Sequence, residues 1–318
     1  MKKITRPITI LSLLLAPACG RGEASALREL FLKPVAERLL TKSDPELSGA
    51  TLETDNSYVI YASASSELQP YHFTGQLFSY TGAACWEASS APGTAAPVYW
   101  PAGGVSLDFL ACALTPAAQA ALSISWDAAA PANGLVISDW DTYENQFDVM
   151  YAAACDRTPG SAVPLRFQHS LAVVAFSASC TVPGVFTLNR ITLNGLDYRG
   201  TFTVDNSRTE LTTDWGTLAI GDKVAFKTDG TTDDYGFVVP GEPARCTRHL
   251  LVPPQPARSV TLGYSLGGVD FTYTLALPRT HWKAGCQYDY TLRFTLSEIT
   301  ADPAVSPWDI EVSEQILP

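Results

Sequence analysis

Histidine is scarce in this chain, and the residue patterns that hold metals or nucleotides are missing. The sequence has only four histidines, and no two of them are separated by one or by three residues. It also has no C-x-x-C pair, no G-x-x-x-x-G-K-[ST] loop and no G-x-G-x-x-G loop. Structural zinc sites and phosphate-binding loops need such spacings. The sequence therefore argues against a metal centre, and we expect no cofactor.

Positive charge is also in short supply. The chain has 21 Lys and Arg against 32 Asp and Glu, for a net charge of −11. Loss of residues 1–18, which contain three basic and no acidic residues, would take the net charge to −14. Nucleic-acid phosphates and anionic lipids attract Lys-rich and Arg-rich surfaces. We therefore expect no nucleic-acid partner and no electrostatic docking on a membrane.

Long apolar runs are absent except near the N-terminus, where the pattern is typical of an export signal. Two lysines and Arg6 precede an apolar segment, Ile8 to Leu15, that is too short for a mature membrane span. The following LAPAC stretch fits two alternatives, an ordinary signal-peptidase site or a lipobox with Ala16 where Leu is usual. Both start the mature chain at Cys19, and the lipoprotein alternative, which we favour, makes Cys19 the predicted lipidation site.

Six further cysteines follow Cys19 at wide spacings. Export permits disulfides, and six cysteines allow 15 pairings, among which the sequence cannot choose. The alternative is that several are free and buried, since cysteine packs as a small apolar residue.

Most of the chain shows the two-residue period of β-strands. The pattern predicts strands at Val59–Ala64 and Phe73–Tyr80, and a strand at Val105–Leu114 that is buried on both faces. A single strand is predicted over Pro164–Ala178. In the last third, Ser259–Leu277 and Tyr288–Leu296 alternate clearly between apolar and polar residues. Because no helical crossovers separate these segments, we expect mainly antiparallel sheets.

Two short segments favour helix instead. Ala26 to Thr41 has apolar residues near helical spacing, although Pro34 limits it to a short or kinked helix. Thr115 to Leu122 predicts one small helix, with Thr115 as its cap and Pro116 at its first position. A Pro/Gly/Ser-rich break at Thr158–Ser161 is the predicted domain boundary.

The stretch GYSLGG, residues 263–268, fits the G-x-S-x-G pattern of serine hydrolases around Ser265. A nucleophile elbow needs a helix after the serine, whereas a second alternating strand follows Gly267-Gly268 here. We therefore predict a hairpin with Ser265 on its polar face. The carboxylate pairs Asp139/Asp141 and Asp233/Asp234 lie in turn-like stretches typical of solvated acids. No catalytic residue is predicted, and the chain is not expected to be an enzyme.

The chain has seven tryptophans, which fit either of two roles. They could line a sugar-binding face, or they could fill the cores of β-sandwiches. We favour core positions for most of them, since large aromatic residues dominate core burial.

Several segments together resemble the fimbrillin-like proteins of Bacteroidetes, the subunits of type V pili. HWKAGCQYDYTLRFTL and the later VSPW resemble the family's W-x-A-G-x-x-Y-x-Y strand and its late tryptophan, through Trp282, Ala284, Gly285, Tyr288, Tyr290 and Trp308. Four further segments resemble segments of the family: LLVPPQ at 250–255, DVMYA at 148–152, VYWPAGGVSLDFLACA at 98–113 and VPLRFQHSLAVVAFS around His169. In the resemblance, His169 is a structural strand residue.

The resemblance implies an all-β chain with two antiparallel β-sandwich domains of transthyretin-like type, preceded by a lipoprotein signal peptide and a short leader. We predict a signal peptide at 1–18, a leader at 19–46, and sandwiches at 47–158 and 159–318. The resemblance also implies removal of the leader by an arginine-specific protease, for which Arg38 is preferred over Arg28. A strand of the next subunit then fills the emptied groove.

The resulting hypothesis is a fimbrial subunit or fimbria-associated adhesin, held at the bacterial outer membrane by a lipid and joined to other fimbrial subunits by strand exchange. Its further partners would be a host or bacterial surface protein or a glycan. The short tail Asp309–Pro318 leaves stalk, tip and anchor positions open. The alternative hypothesis is a surface lipoprotein that binds glycans without polymerising.

Overall fold

A computed structural model describes residues 28–35, 58–80, 86–91, 94–142, 146–207, 211–216, 218–224, 236–247, 249–278, 281–296 and 298–307. The predicted signal peptide, Cys19, Arg38, Cys85, Trp308 and the tail 309–318 lie outside these ranges. The structure therefore does not test the predictions made for those residues.

The described residues form β-strands almost throughout. The strands of the first half are β1 (Phe31–Val35), β2 (Val59–Ser65), β3 (Phe73–Tyr80), β4 (Trp86–Ala91), β5 (Thr94–Ala95), β6 (Leu107–Leu114), β7 (Ser123–Trp126), β8 (Gly134–Asp141) and β9 (Met150–Arg157). Those of the middle are β10 (Val163–Arg166), β11 (Gln168–His169), β12 (Ala172–Cys180), β13 (Phe186–Asp205), β14 (Thr212–Trp215), β15 (Ala219–Val224), β16 (Phe237–Val238) and β17 (Ala244–Arg245). The last are β18 (Leu250–Val252), β19 (Gln255–Pro256), β20 (Ser259–Leu266), β21 (Val269–Ala276), β22 (His281–Trp282), β23 (Cys286–Phe294) and β24 (Ile299–Pro307).

The first sheet has nine strands in the order β10-β1-β4-β3-β2-β6-β9-β11, with β5 added to β4. One face encloses a core that includes Trp86, Trp100 and Phe109. The central strand β6 is buried on both faces, because Phe109 enters this core and Leu110 enters a second core behind the sheet. The strands predicted at 59–64 and 73–80 and the doubly buried strand at 105–114 are thus confirmed.

A second sheet has the order β17-β12-β23-β24, with β18 added to β12. A third has the order β21-β20-β13-β8-β7, with β14, β15 and β16 added to β13. These two sheets pack face to face over a core that includes Phe176, Tyr290 and Leu262. The pairings are antiparallel except for β1 with β10 and β12 with β23, so the expected antiparallel, all-β class is confirmed.

Strand β13 is 20 residues long and contributes to two cores. Its first half packs Leu188 and Ile191 into the core between the second and third sheets. Its last residues, Phe202 and Val204, pack instead into the core behind the first sheet. Register shifts against β8, β15 and β20 mark irregularities that bend such a strand. The domain boundary predicted at residue 158 stays a prediction. Strand β8 precedes this position in the sequence and pairs with β13, which follows it, and β7 pairs with β8.

One short helix, α1 (Pro116–Ala121), follows β6 as predicted. The Thr115 hydroxyl accepts a hydrogen bond of 3.1 Å from the Ala118 N–H, and Pro116 occupies the first turn. This capping satisfies a backbone donor that the start of a helix would leave free. In the described part of the chain, no helix could span a bilayer.

The other expected helix, over residues 26–41, is wrong where the structure describes it. Residues 31–35 form β1, and the burial pattern at Leu30–Lys33 follows a two-residue period. Leu30 and Leu32 are fully buried, whereas Lys33 is exposed. A row of partners in the first sheet thus overrides a weak helical pattern that Pro34 already interrupts.

The segment predicted as one strand, 164–178, is divided into β10, β11 and β12. The first two belong to the first sheet and β12 belongs to the second, so the chain changes sheets after His169. There, Nδ1 of His169 lies 3.0 Å from a carboxylate oxygen of Asp148, and both residues are only 5% exposed. The Ser170 N–H donates to the Val149 carbonyl at 3.0 Å. The expected structural role of His169 is confirmed.

The five described cysteines, Cys112, Cys155, Cys180, Cys246 and Cys286, are free thiols. Burial raises the pKa of the Cys112 thiol to about 12, and burial likewise raises the pKa of the Cys246 thiol to about 12. Both thiols are therefore protonated and unreactive at neutral pH. Cys112, Cys180 and Cys246 are buried, as the alternative of several free and buried cysteines expects, whereas Cys155 is exposed and Cys286 is half-buried.

Candidate functional site

The strand β1 is the first candidate site, because it comes from the predicted leader and fills the first sheet. It lies between β10 and β4. Leu32 is opposite Val163 in a parallel pairing with β10, and it is also opposite Trp86 in an antiparallel pairing with β4. A segment that precedes the predicted sandwich therefore completes its sheet.

Apolar burial holds β1 in place. Leu30 and Leu32 are 0% exposed and belong to the same core as Trp86, Trp100 and Leu165. Full burial of a leucine side chain contributes about 1.5–3 kcal/mol. The two leucines together supply about 3–6 kcal/mol toward keeping the strand in its groove.

The backbone ladder of β1 is weaker than its side-chain packing. The pairing with β10 covers four residues on each strand, and these include Pro34 and Pro164, neither of which has an N–H to donate. The pairing with β4 is limited to Phe31 opposite Glu87 and Leu32 opposite Trp86. Two leucine pockets and a short backbone ladder therefore hold β1 in the first sheet.

Backbone hydrogen bonds also hold the residues just before β1 against residues 98–100. The Leu30 N–H donates to the Val98 carbonyl at 2.9 Å, and the Trp100 N–H donates to the Arg28 carbonyl at 2.8 Å. Arg28 itself is exposed. Its carbonyl group is therefore hydrogen-bonded within the protein even though the residue is exposed.

The predicted processing residues occupy different places relative to β1. Arg28 lies before the strand, so cleavage after Arg28 would leave β1 attached to the body. Arg38 and the lipidation residue Cys19 lie outside the described residues, but sequence order puts Arg38 after β1. Cleavage after Arg38 would therefore put β1 on the released fragment.

The hydrolase-like stretch is the predicted hairpin. Strands β20 and β21 pair directly across Gly267 and Gly268, which adopt φ values of 59° and 84°. The Ser265 hydroxyl donates to a carboxylate oxygen of Asp270 at 2.5 Å and accepts from the Asn189 amide at 2.8 Å. Its hydrogen-bond partners are thus polar surface groups of the hairpin and of β13, which confirms the interpretation of Ser265 as a polar hairpin residue.

The carboxylates considered for catalysis have structural partners. The Asp141 carboxylate, 2% exposed, accepts a hydrogen bond of 2.9 Å from Nε of Arg199. The Asp139 carboxylate accepts one of 2.6 Å from the Ser123 hydroxyl. Asp233 and Asp234 lie outside the described residues. Within the described ranges, no group of three His, Cys, Asp or Glu side chains could hold a metal ion.

Four tryptophans fill cores as predicted. Trp86, Trp100, Trp140 and Trp282 are at most 4% exposed. Trp126 and Trp215 are half-buried. The expectation of an exposed tryptophan face, on which the glycan-binding alternative depended, therefore has no support among these six residues.

Comparison with known proteins agrees with this architecture. A family model described as fimbrillin-like matches residues 47–308. Comparison with curated protein sequences finds no match.

Three solved structures share the fold. A fimbrial protein from Bacteroides vulgatus is similar with a TM-score of 0.62 at 13% identity, over 89% of this chain and 100% of that one. A candidate cell adhesion protein from Bacteroides ovatus has a TM-score of 0.56 at 13% identity, over 90% and 99% of the two chains. Another from Bacteroides uniformis has a TM-score of 0.53 at 12% identity, over 88% and 99%. The family model covers most of the sequence, so this chain belongs to the fimbrillin-like family.

Proposed function

We propose that this protein is a fimbrial subunit or fimbria-associated adhesin of the bacterial surface that assembles by strand replacement. The observation that carries the proposal is β1, a strand from the N-terminal segment that seats two leucines in the core of the first sheet. Its removal would leave a groove between β4 and β10 with open backbone edges and two apolar pockets. Such a groove binds an extended segment from a neighbouring subunit.

Processing after Arg38 is the step that would empty the groove. Cleavage at this residue separates β1 from the body, whereas cleavage after Arg28 does not. The similarity in fold to a fimbrial protein and to candidate cell adhesion proteins is consistent with this role. The proposal includes export with a signal peptide at 1–18, acylation at Cys19 and attachment to the outer membrane. It includes no catalytic activity.

The test is to produce the full chain in a Bacteroidetes host with an arginine-specific surface protease and to compare Arg38→Ala with Arg28→Ala. Wild type and Arg28→Ala are expected to yield a chain that starts at residue 39 and a ladder of polymers on gels run without boiling. Arg38→Ala is expected to keep β1, to retain the acyl mass on Cys19 and to migrate as a monomer.

A polymer ladder from Arg38→Ala equal to that of wild type would contradict processing at Arg38. Monomers from wild type that start at an acylated Cys19 and bind glycans would instead support the alternative, a surface lipoprotein that does not polymerise. Mass spectrometry of the intact N-terminal peptide distinguishes the two results directly.

A further inference from the structure

A polar cavity lies at the first sheet, on the face opposite the core that contains Leu30 and Leu32. Its volume is about 520 Å³, within the range of about 300–1,000 Å³ that is typical of small-ligand sites. The side chain of Tyr61 packs toward the core behind the sheet, whereas Leu30 and Leu32 pack on the opposite face. The polar residues that line the cavity are Tyr61, Thr74, Gln76, Ser89, Ser90 and Gln119.

A bulge in β3 shapes one wall of this cavity. The register between β2 and β3 shifts between Ala62 and Ala64, and Gly75 adopts φ +56°. The Gly75 N–H donates to the Ser63 hydroxyl at 2.8 Å. A Cβ atom on Gly75 would come within 2.8 Å of the Trp126 indole nitrogen, so glycine is required where the two segments meet.

The floor of the cavity is fixed by hydrogen bonds. The Gln76 amide nitrogen donates to the Leu77 carbonyl at 3.0 Å and to the Ser89 carbonyl at 2.8 Å. The Ser79 hydroxyl donates to the Ser89 hydroxyl at 3.2 Å. The two hydrogen bonds to Ser89 tie β3 to β4, so this part of the lining is held in place before any ligand arrives.

The other polar side chains of the lining reach solvent. Thr74, Ser90 and Gln119 are exposed and Tyr61 is half-buried, and the side chains of these four make no hydrogen bond to another described residue, so water is their partner until a ligand binds. Three of them are hydroxyls and one is an amide, so each can both donate and accept. Burial raises the pKa of Tyr61, so its phenol remains a donor at neutral pH.

Charge selects the ligand class. None of the lining residues is charged, and the chain carries a net charge of −11. An anionic ligand would enter without a compensating cation, and a cation would find no carboxylate in the lining. A sugar ring carries several hydroxyls that donate and accept, without charge. We propose that this cavity binds a neutral carbohydrate through Tyr61, Thr74, Ser90 and Gln119.

The experiment uses the full chain as a monomer and saturation-transfer NMR with mannotriose, N-acetylchitotriose and lacto-N-tetraose, with 3′-sialyllactose as the charged comparison. At least one neutral probe is expected to bind. Tyr61→Phe and Gln119→Ala are each expected to weaken that binding about fivefold, since each removes one hydrogen-bonding group. Ser90→Trp is expected to abolish binding by filling the cavity.

Thr272→Ala, on the exposed strand β21, is the matched control and is expected to bind as wild type does. Circular dichroism confirms that each variant is folded. Failure of all three neutral probes to bind would overturn the proposal, as would binding that Ser90→Trp and Gln119→Ala leave unchanged, or preferential binding of 3′-sialyllactose. Because β1 remains in place in every sample, these results are independent of the proposed strand replacement.

Discussion

A chain that starts at residue 39, and so lacks β1, is expected to be less stable than a chain that starts at residue 28 by about 3–6 kcal/mol. The loss follows from the pockets that Leu30 and Leu32 leave open in the first core. The backbone edges of β4 and β10 also lose their partner strand. Urea unfolding followed by tryptophan fluorescence measures the difference, because Trp86 and Trp100 lie in the same core.

Two substitutions refine this comparison within the intact chain. Leu32→Ala is expected to cost about 2–5 kcal/mol, the range for truncating a buried leucine. Lys33→Ala, at the neighbouring exposed position, is expected to change stability by less than about 0.5 kcal/mol. Equal stability of the chains that start at 28 and at 39 would show that β1 contributes nothing to the sheet.

His169→Ala is expected to destabilise the protein by about 3–5 kcal/mol, because the Asp148 carboxylate would remain buried without the imidazole. The pair lies where the chain leaves the first sheet and enters the second. The substitution should therefore lower the midpoint of thermal unfolding for the first and second sheets together. Differential scanning calorimetry at constant protein concentration measures this.

The matched control is an ion pair at the surface. Nε of Arg293 on β23 lies 2.5 Å from a carboxylate oxygen of Asp302 on β24, and the two side chains are 54% and 60% exposed. Arg293→Ala is expected to cost only about 0.2–1 kcal/mol, because solvent screens the pair. Similar losses from His169→Ala and Arg293→Ala would contradict a structural role for the buried pair.

Local patterns explain what the sequence could predict. The hairpin at Gly267-Gly268 was predicted because alternation and turn residues lie next to each other in the chain. The helix α1 was predicted from its own cap, Thr115, and from Pro116. In both cases, all the information needed lies within about ten residues.

Non-local pairing explains what the sequence could not predict. The segment around β1 has apolar residues at helical spacing, namely Leu27, Leu30 and Phe31. Residues 31–35 form a strand because they pair with β4 and β10. The parallel pairing of β12 with β23 joins segments that lie more than 100 residues apart. The strand pattern over 164–178 likewise contains no sign that the chain changes sheets after His169.

The candidate sites show the same division. The local export pattern predicts Cys19 and the family resemblance predicts Arg38, whereas the groove for β1 follows from the packing of the whole first sheet. The cavity around Tyr61 depends on the bulge at Gly75 and on its contact with Trp126. A glycine within a strand indicates a bulge from the sequence alone. The cavity that this bulge helps to form can be recognised only in the folded structure.

The most direct test of strand replacement is to add a synthetic peptide with the sequence of residues 28–37 to the chain that starts at residue 39. The account predicts that the peptide binds and restores hydrogen-exchange protection to the backbone amides of β4 and β10. A peptide with Leu30→Asp and Leu32→Asp should do neither, since both pockets are apolar. Absence of protection with the native peptide, or equal protection with the substituted one, would contradict the claim that the first sheet can bind a strand from a separate chain in place of β1.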